Sequence, residues 1–240
     1  MTKLLFCINI NIHFNDNVYK KEVLKKVRRK IPTTLTAEEI RKIIDQPNKR
    51  CPTGLRNKTI LSLVWDSGAR VSDITNLKPG NLNISKKEII IKNGKGGVDR
   101  ILSFSEYTQD LLKKYKADRP KGEYFFSTLT GNKLDRVYLY SMVRRYAKRV
   151  GITKKVGMHT LRHSFALNFY KNSNHDLIRL QRIMGHADIR STQIYCYMDS
   201  TEVKEGLNEF YNKRDGLKPK TLEERIKDLE KELIDLKANL

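Results

Sequence analysis

The stretch MHTLRHSFALNFYKNSNHDLIRLQRIMGHADIRSTQIY, residues 158–195, holds four of the five histidines of the chain and two apolar periodicities of helical spacing. Those periodicities predict helices around 160–172 and 176–184, the second ending at Gly185. On a helix His159 and Arg162 stand three apart, so they share a face and can address one small anion. His159 and His163, four apart, are also spaced as a zinc pair. The acidic residue of H-E-x-x-H is absent, however, and Arg162 would sit beside the cation, so the anion reading is preferred. Taken singly, these residues also fit ordinary roles: His159 and Arg162 as a surface pair, His186 as a helix cap. Nothing in the local letters separates Tyr195 from Tyr197, which flank Cys196.

Working outward, "KEIIIKNGKGGVDRILSF" (87–104) places β-branched runs on either side of a Gly-rich turn and predicts a β-hairpin with Lys95 in its turn. "NKTILSLVWDSGARVSDITNL" (57–77) predicts an amphipathic helix interrupted at Gly68 and followed by a short second one. "LTAEEIRKII" (35–44) carries a capping box, Thr36 with Glu39, and a hydrophobic staple, Leu35 with Ile40, so a compact domain is expected to begin near Pro32. Further helices are expected around 106–117 and 135–149, and another near "DSTEVKEGLNEFY", with Val203, Leu207 and Phe210 on one face. At the end Leu222, Ile226, Leu229, Leu233, Leu236 and Leu240 alternate spacings of four and three, a heptad seam.

The charge is unbalanced. The chain of 240 residues carries a net +21, and residues 221–240, with four Lys/Arg and six Asp/Glu, leave +23 on the rest. Basic residues scattered through the body point to a polyanionic partner, DNA or RNA before a membrane. No apolar run approaches the ~18–20 residues needed to span a bilayer, and "LLFCI" is not followed by a small-residue cleavage site. Cys7, Cys51 and Cys196 have neither an even count nor C-x-x-C spacing, which argues for reduced thiols over a disulfide framework.

Joined in order, these pieces resemble the tyrosine recombinase and phage integrase family, its Xer-type members especially. The family pattern is an Arg in G-[LA]-R-[VI]-S-[DE], a Lys in a β-hairpin turn, H-x-x-R, a G-H, and a Tyr nine residues after that His. "SGARVSDITNL" offers Arg70 and Asp73, "NGKGGVDR" offers Lys95, "HTLR" offers His159 and Arg162, "MGH" offers His186, and nine residues on stands Tyr195. The resemblance covers residues 32–211. One departure stands out: Xer-type sequences often read "IYTH" where this chain has Tyr197 in place of the His. Tyr197 is expected to pack or hydrogen-bond beside the site, and Cys196 to face the domain interior.

The resemblance implies a mainly α fold with a small antiparallel β-sheet, an α+β catalytic domain over 32–216. A short segment and basic linker (1–31, with 17–31 rich in Lys and Arg) would precede it and a heptad helix (217–240) would follow. It implies a site-specific recombinase or integrase that cuts and rejoins DNA through a 3′-phosphotyrosyl bond without metal, ATP or another cofactor. Arg70 and Arg162 would hold the non-bridging oxygens, where fixed guanidinium forks suit developing negative charge. His186 would add a hydrogen bond, His159 would assist removal of the Tyr195 proton, Lys95 would protonate the departing 5′ oxygen, and Asp73 would buttress the site. The partners implied are double-stranded DNA and further copies of the chain, a tetramer in synapsis, with no membrane; the location implied is cytoplasmic. A type IB topoisomerase-like nicking-closing activity shares this constellation, and a non-cutting DNA-binding remnant would keep the charge. The 31 residues before the "PTTLTAEEI" start are too few for the helical core-binding domain usual in relatives. Half of a DNA clamp is therefore expected, from a naturally short or a truncated chain, with salt-dependent and weakly selective binding.

Overall fold

The computed structural model describes residues 31–92, 99–214, 224, 226–231 and 234. The chain divides into two units, Met1–Pro32 and Thr33–Leu240, and the elements of the described residues belong to the second. Helix α1 (Ala37–Ile44) begins with the capping box expected: Thr36 Oγ1 accepts from the Glu39 amide at 3.1 Å, and the Glu39 carboxylate accepts from the Thr36 amide at 2.8 Å. Two amides that have no helical partner are thereby satisfied. Leu35 and Ile40 are both buried.

Helix α2 (Pro52–Ser67) departs from the amphipathic expectation. It starts at Pro52, and Arg56, Asn57 and Lys58 are buried together with Ile60, Leu61, Leu63 and Val64. Burial of the polar groups is tolerated because each has partners. Arg56 donates to the Ser127 carbonyl at 2.6 Å and to Tyr138 Oη at 2.5 Å. Asn57 donates to Tyr146 Oη at 3.2 Å, and Lys58 pairs with Asp45 at 2.5 Å. Periodicity assigns such residues to solvent; only the partners, distant in sequence, bring them inside.

The break at Gly68 is confirmed in kind. Gly68 takes φ 62°, ψ 25°, and a Cβ there would run into the ring of Phe165, so the position excludes a side chain on two counts. Helix α3 (Val71–Thr75) follows. Strands β1 (Leu82–Asn83), β2 (Glu88–Ile91) and β3 (Arg100–Ser103) form an antiparallel sheet in the order β1-β2-β3. The expected hairpin pairs Glu88 with Ser103 and Ile91 with Arg100. Its turn, including Lys95, lies outside the described residues. β1 was not anticipated, because two residues are too few to show an alternation.

Helices α4 (Glu106–Asp118), α5 (Arg136–Arg149), α6 (Met158–Asn172) and α7 (Leu177–Met184) fall within two residues of their expected bounds. After a 3₁₀ turn at Ile189–Ser191 come α8 (Ile194–Met198) and α9 (Ser200–Arg214). Among the described residues two buried clusters hold the unit together. The larger joins α1 to α5 and the sheet; the smaller is Ala166, Tyr170, Leu180, Met184 and Tyr195. Helix α6 contributes Leu161 to the first and Ala166 to the second, so Arg162 and His163 lie on the stretch between them.

On α9, Leu207 and Phe210 are exposed, and the Val203 side chain lies outside the described residues. Ile226 and Leu229 are exposed within helical residues 226–231, while Leu222, Leu233, Leu236 and Leu240 of the heptad, like the basic stretch 17–30, lie outside the described residues. Among the described residues no helix is long and apolar enough to cross a membrane.

Candidate active site

Four of the expected residues converge where the start of α3, the start of α6 and the end of α7 meet. Arg70 is the N-cap of α3, with its backbone N–H fixed to Asp73 Oδ2 at 2.7 Å. Helix α7 ends on Gly185 in the left-handed conformation (φ 59°, ψ 46°), which turns the carbonyls of Met184 and Gly185 toward the arginines. Arg70 Nη2 donates to Gly185 O at 2.6 Å and to Met184 O at 3.2 Å. Arg162 Nη2 donates to the same Met184 O at 2.7 Å, and its Nη1 donates to Gly68 O. Arg162 is 5% exposed, and burial, with Arg70 and Arg100 nearby, pulls its guanidinium down to about 9. Arg70 Nη1 is buried with no partner among the described residues. A buried N–H donor left open in this way is costly unless something accepts from it.

His186 follows the Gly185 turn. Its Nδ1 is 3.0 Å from Thr192 Oγ1 and its Nε2 3.4 Å from Arg162 Nη2. Arg162 can only donate, so Nε2 accepts and Nδ1–H donates to Thr192. Burial and the neighbouring arginines hold this ring down to about 4, which keeps it neutral.

Tyr195 on α8 is fully buried, and burial raises its phenol to about 12, with Arg162 pulling the other way. Its hydroxyl lies 2.9 Å from His163 Nδ1. His159, by contrast, is exposed and its side chain makes no hydrogen bond among the described residues. The part of its ring that faces the protein, with Arg162 and Arg136 nearby, lowers its pKa even so. It borders a hollow of about 410 Å³ lined also by Arg136, Tyr140 and Lys155. Lys155 also borders a groove of about 780 Å³ with Arg144, Arg145, Lys148 and Lys154. Tyr197, expected to pack beside the site, is instead 81% exposed: Tyr195 points into the small cluster, and on the short helix α8 a residue two positions on faces away. Cys196 is half-buried against that cluster.

Sequence reasoning missed two residues. Arg100 pairs with Asp73 inside the protein, the side chains 6% and 8% exposed, and its guanidinium packs against Gly185. The signal was present: on β3 Arg100 and Leu102 are buried while Ile101 is exposed, so a charge stood on the inward face of a strand. In the sequence His163 offers only a place in a zinc pair with His159. No spacing rule links it to Tyr195, 32 residues on.

His163, held to about 4 by burial, His159 and Arg162, and His186, at about 4, both lie below the ordinary 6.5. Between the two values the unfolded chain binds protons that the native chain refuses, so stability is complete above about 6.5 and is lost as pH falls toward about 4. The melting temperature is expected to drop between about pH 7 and about pH 4.5, less steeply in His163→Gln and in His186→Gln. A melting temperature constant over that window in the wild type would contradict the burial of these rings.

The phage integrase family model matches residues 33–202. The chain is 31% identical over 195 residues to tyrosine recombinase XerD of Halalkalibacterium halodurans, covering 78% of this chain and 64% of that one. It is 33% identical over 176 residues to XerD of Ralstonia nicotianae (70% and 57%) and 32% over 186 residues to XerA of Pyrococcus horikoshii (76% and 62%). It thus spans about three fifths of the length of the curated relatives it matches. Among solved structures it resembles XerH site-specific recombinase bound to a palindromic difH substrate in a post-cleavage complex, with TM-score 0.65, 30% identity, and 76% of this chain and 54% of that one covered. It also resembles the XerA recombinase, with TM-score 0.64, 28% identity and coverage of 80% and 66%. With the mainly helical fold, the three-stranded sheet and the family match over most of its length, the chain belongs to the phage integrase family and has the fold of a tyrosine recombinase catalytic domain.

Proposed function

We propose that the chain is a site-specific DNA recombinase that breaks and rejoins strands through a 3′-phosphotyrosyl bond on Tyr195. One observation carries the reading. Arg70 and Arg162 are clamped onto the same Met184 carbonyl, Arg70 Nη1 is a buried donor with no partner among the described residues, and Arg162 acts electrostatically on the buried hydroxyl group of Tyr195. Guanidinium groups fixed in this way suit a phosphodiester whose non-bridging oxygens gain charge as it is attacked.

In the proposed step Tyr195 Oη bonds to phosphorus as the bond to the 5′ oxygen breaks. Arg70 and Arg162 hold the non-bridging oxygens, and Lys95 returns a proton to the 5′ oxygen. His186 joins by changing tautomer: the Thr192 hydroxyl donates to Nδ1, and Nε2–H then donates to the phosphate. Asp73, with Arg100, keeps Arg70 at its post. Phosphodiester is exchanged for phosphodiester, so the step is reversible and calls for no energy source. The DNA backbone would run over the hollow beside His159 and along the basic groove that shares Lys155 with it. The exposed Leu207 and Phe210 on α9 offer a face for a neighbouring copy on the DNA. We assign the protein to the cytoplasm, on its DNA.

Incubation with nicked suicide duplexes tests the reading. A covalent adduct followed by strand exchange between duplexes is expected. Relaxation of supercoiled DNA without exchange would favour a nicking-closing enzyme, and binding without an adduct would reduce the protein to a DNA-binding remnant.

A further inference from the structure

We infer that His163 holds the Tyr195 hydroxyl and accepts its proton as the tyrosine attacks phosphorus. This rests on the reading of Tyr195 as nucleophile and deepens it. His163 Nδ1 is 2.9 Å from Tyr195 Oη, with ring centroids 6.1 Å apart and planes at 47°. Tyr195 is fully buried in the free protein, so at rest water does not compete for its hydroxyl proton, and the inferred step requires DNA to open Oη to phosphorus while its contact with Nδ1 is kept. Arg162, the residue before His163, sets the phosphate-directed guanidinium and the imidazole on one turn of α6. His159, to which the resemblance gives this task, is exposed, one helical turn earlier on α6, with no hydrogen bond to Tyr195.

The direction of the hydrogen bond follows from its surroundings. His163 shares the pocket with His159 and Arg162 from its own helix, His186 from the turn after α7, and Tyr195 from α8. Burial and these neighbours keep the imidazole neutral, at about 4, and burial, against the pull of Arg162, keeps the phenol protonated, at about 12. Tyr195 Oη–H therefore donates and Nδ1 accepts, with the ring proton on Nε2.

So weak a base does not ionise the phenol at rest. As the bond from Oη to phosphorus forms, however, that oxygen loses electron density and its proton becomes strongly acidic, so even a weak acceptor suffices late in the step. The proton passes from Oη to Nδ1, giving an imidazolium. The bond to the 5′ oxygen breaks with its electron pair on oxygen, which takes a proton from the ammonium proposed for Lys95. Phenol, phosphodiester anion, imidazole and ammonium thus become phosphotyrosyl diester anion, 5′ hydroxyl, imidazolium and amine, with charge and protons balanced. An imidazolium beside Arg162 is readily deprotonated, which suits return of the proton to Tyr195 when the strand is resealed.

The test uses duplexes of randomised sequence ending in a 3′-p-nitrophenyl phosphate. Nitrophenolate leaves without a proton, so Lys95 is out of the comparison. Single-turnover adduct formation is followed against pH for the wild type, His163→Gln, which keeps a hydrogen-bond acceptor that cannot be protonated, and His163→Ala. The wild-type rate is expected to be flat between about pH 6 and 8, whereas both variants fall by roughly 10²–10⁴ and rise about tenfold per pH unit, having to rely on the ionised phenol. In the unaltered protein, ¹⁵N NMR should find Nδ1 of His163 unprotonated, with a resonance that moves in Tyr195→Phe. A His163→Gln variant with the flat wild-type profile, or a protonated Nδ1, would overturn the inference while leaving Tyr195 as nucleophile. A wild-type chain that releases no nitrophenolate overturns the recombinase reading and this one with it.

Discussion

Tyr195→Phe is expected to lose every trace of covalent DNA adduct while binding DNA as the wild type does. The substitution removes one oxygen from a fully buried ring that packs with Ala166, Tyr170, Leu180 and Met184, and phenylalanine fills the same space. The cost to the fold is that His163 Nδ1 loses its partner, about 1 kcal/mol. Binding should survive, because the basic surface along Arg144, Arg145, Lys148 and Lys155 is untouched. Tyr197→Phe is the control: that side chain is 81% exposed, and the variant should form adduct at the wild-type rate. Denaturing gels of a nicked suicide substrate read both results. Adduct persisting in Tyr195→Phe would move the nucleophile elsewhere.

The second large effect belongs to Arg162. Removing one preorganised donor from a developing oxyanion costs about 10²–10³ in rate, while one lost phosphate contact flattens the salt dependence of binding by about one unit. Arg162→Ala should therefore lose far more cleavage than affinity. It also strips the partner from the carbonyls of Gly68 and Met184, so part of its effect is structural. Arg162→Lys separates the two, since it keeps a buried cation able to donate to one carbonyl but loses the two-pronged grip on two oxygens. Its melting temperature should stay near that of the wild type, with cleavage still down by orders of magnitude. Affinity and cleavage falling in equal proportion would make Arg162 a positioning contact with the backbone of DNA.

Much of this site was legible in local sequence because its parts are local. A glycine with positive φ ends α7 and sets the carbonyls of Met184 and Gly185; a glycine at the end of α2 delivers Arg70 to the start of α3. Such turns are written in one or two residues. Helices α4 to α7 were legible for the related reason that each repeats an apolar residue at helical spacing over two turns or more. The order of Arg70, His159, Arg162, His186 and Tyr195 needed only the family's spacing.

What no spacing could state is which of these groups touch. The burial of Arg56, Asn57 and Lys58 on α2 could not follow from an amphipathic helix, because their partners Ser127, Tyr138, Tyr146 and Asp45 come from other segments. Tyr197 is expected to pack or hydrogen-bond beside the site and stands in solvent; Arg100, which the sequence places only within the hairpin stretch, is ion-paired with Asp73. The sequence by itself determined the longer helices, the hairpin, the capping box of α1 and which residues are candidates for the site, since these depend on contacts a few residues apart. Only the tertiary structure decided that His163 meets the Tyr195 hydroxyl while His159 faces outward, because α6 and α8 come together through the small cluster of Ala166, Tyr170, Leu180, Met184 and Tyr195, and that packing sets which side of α6 the tyrosine approaches.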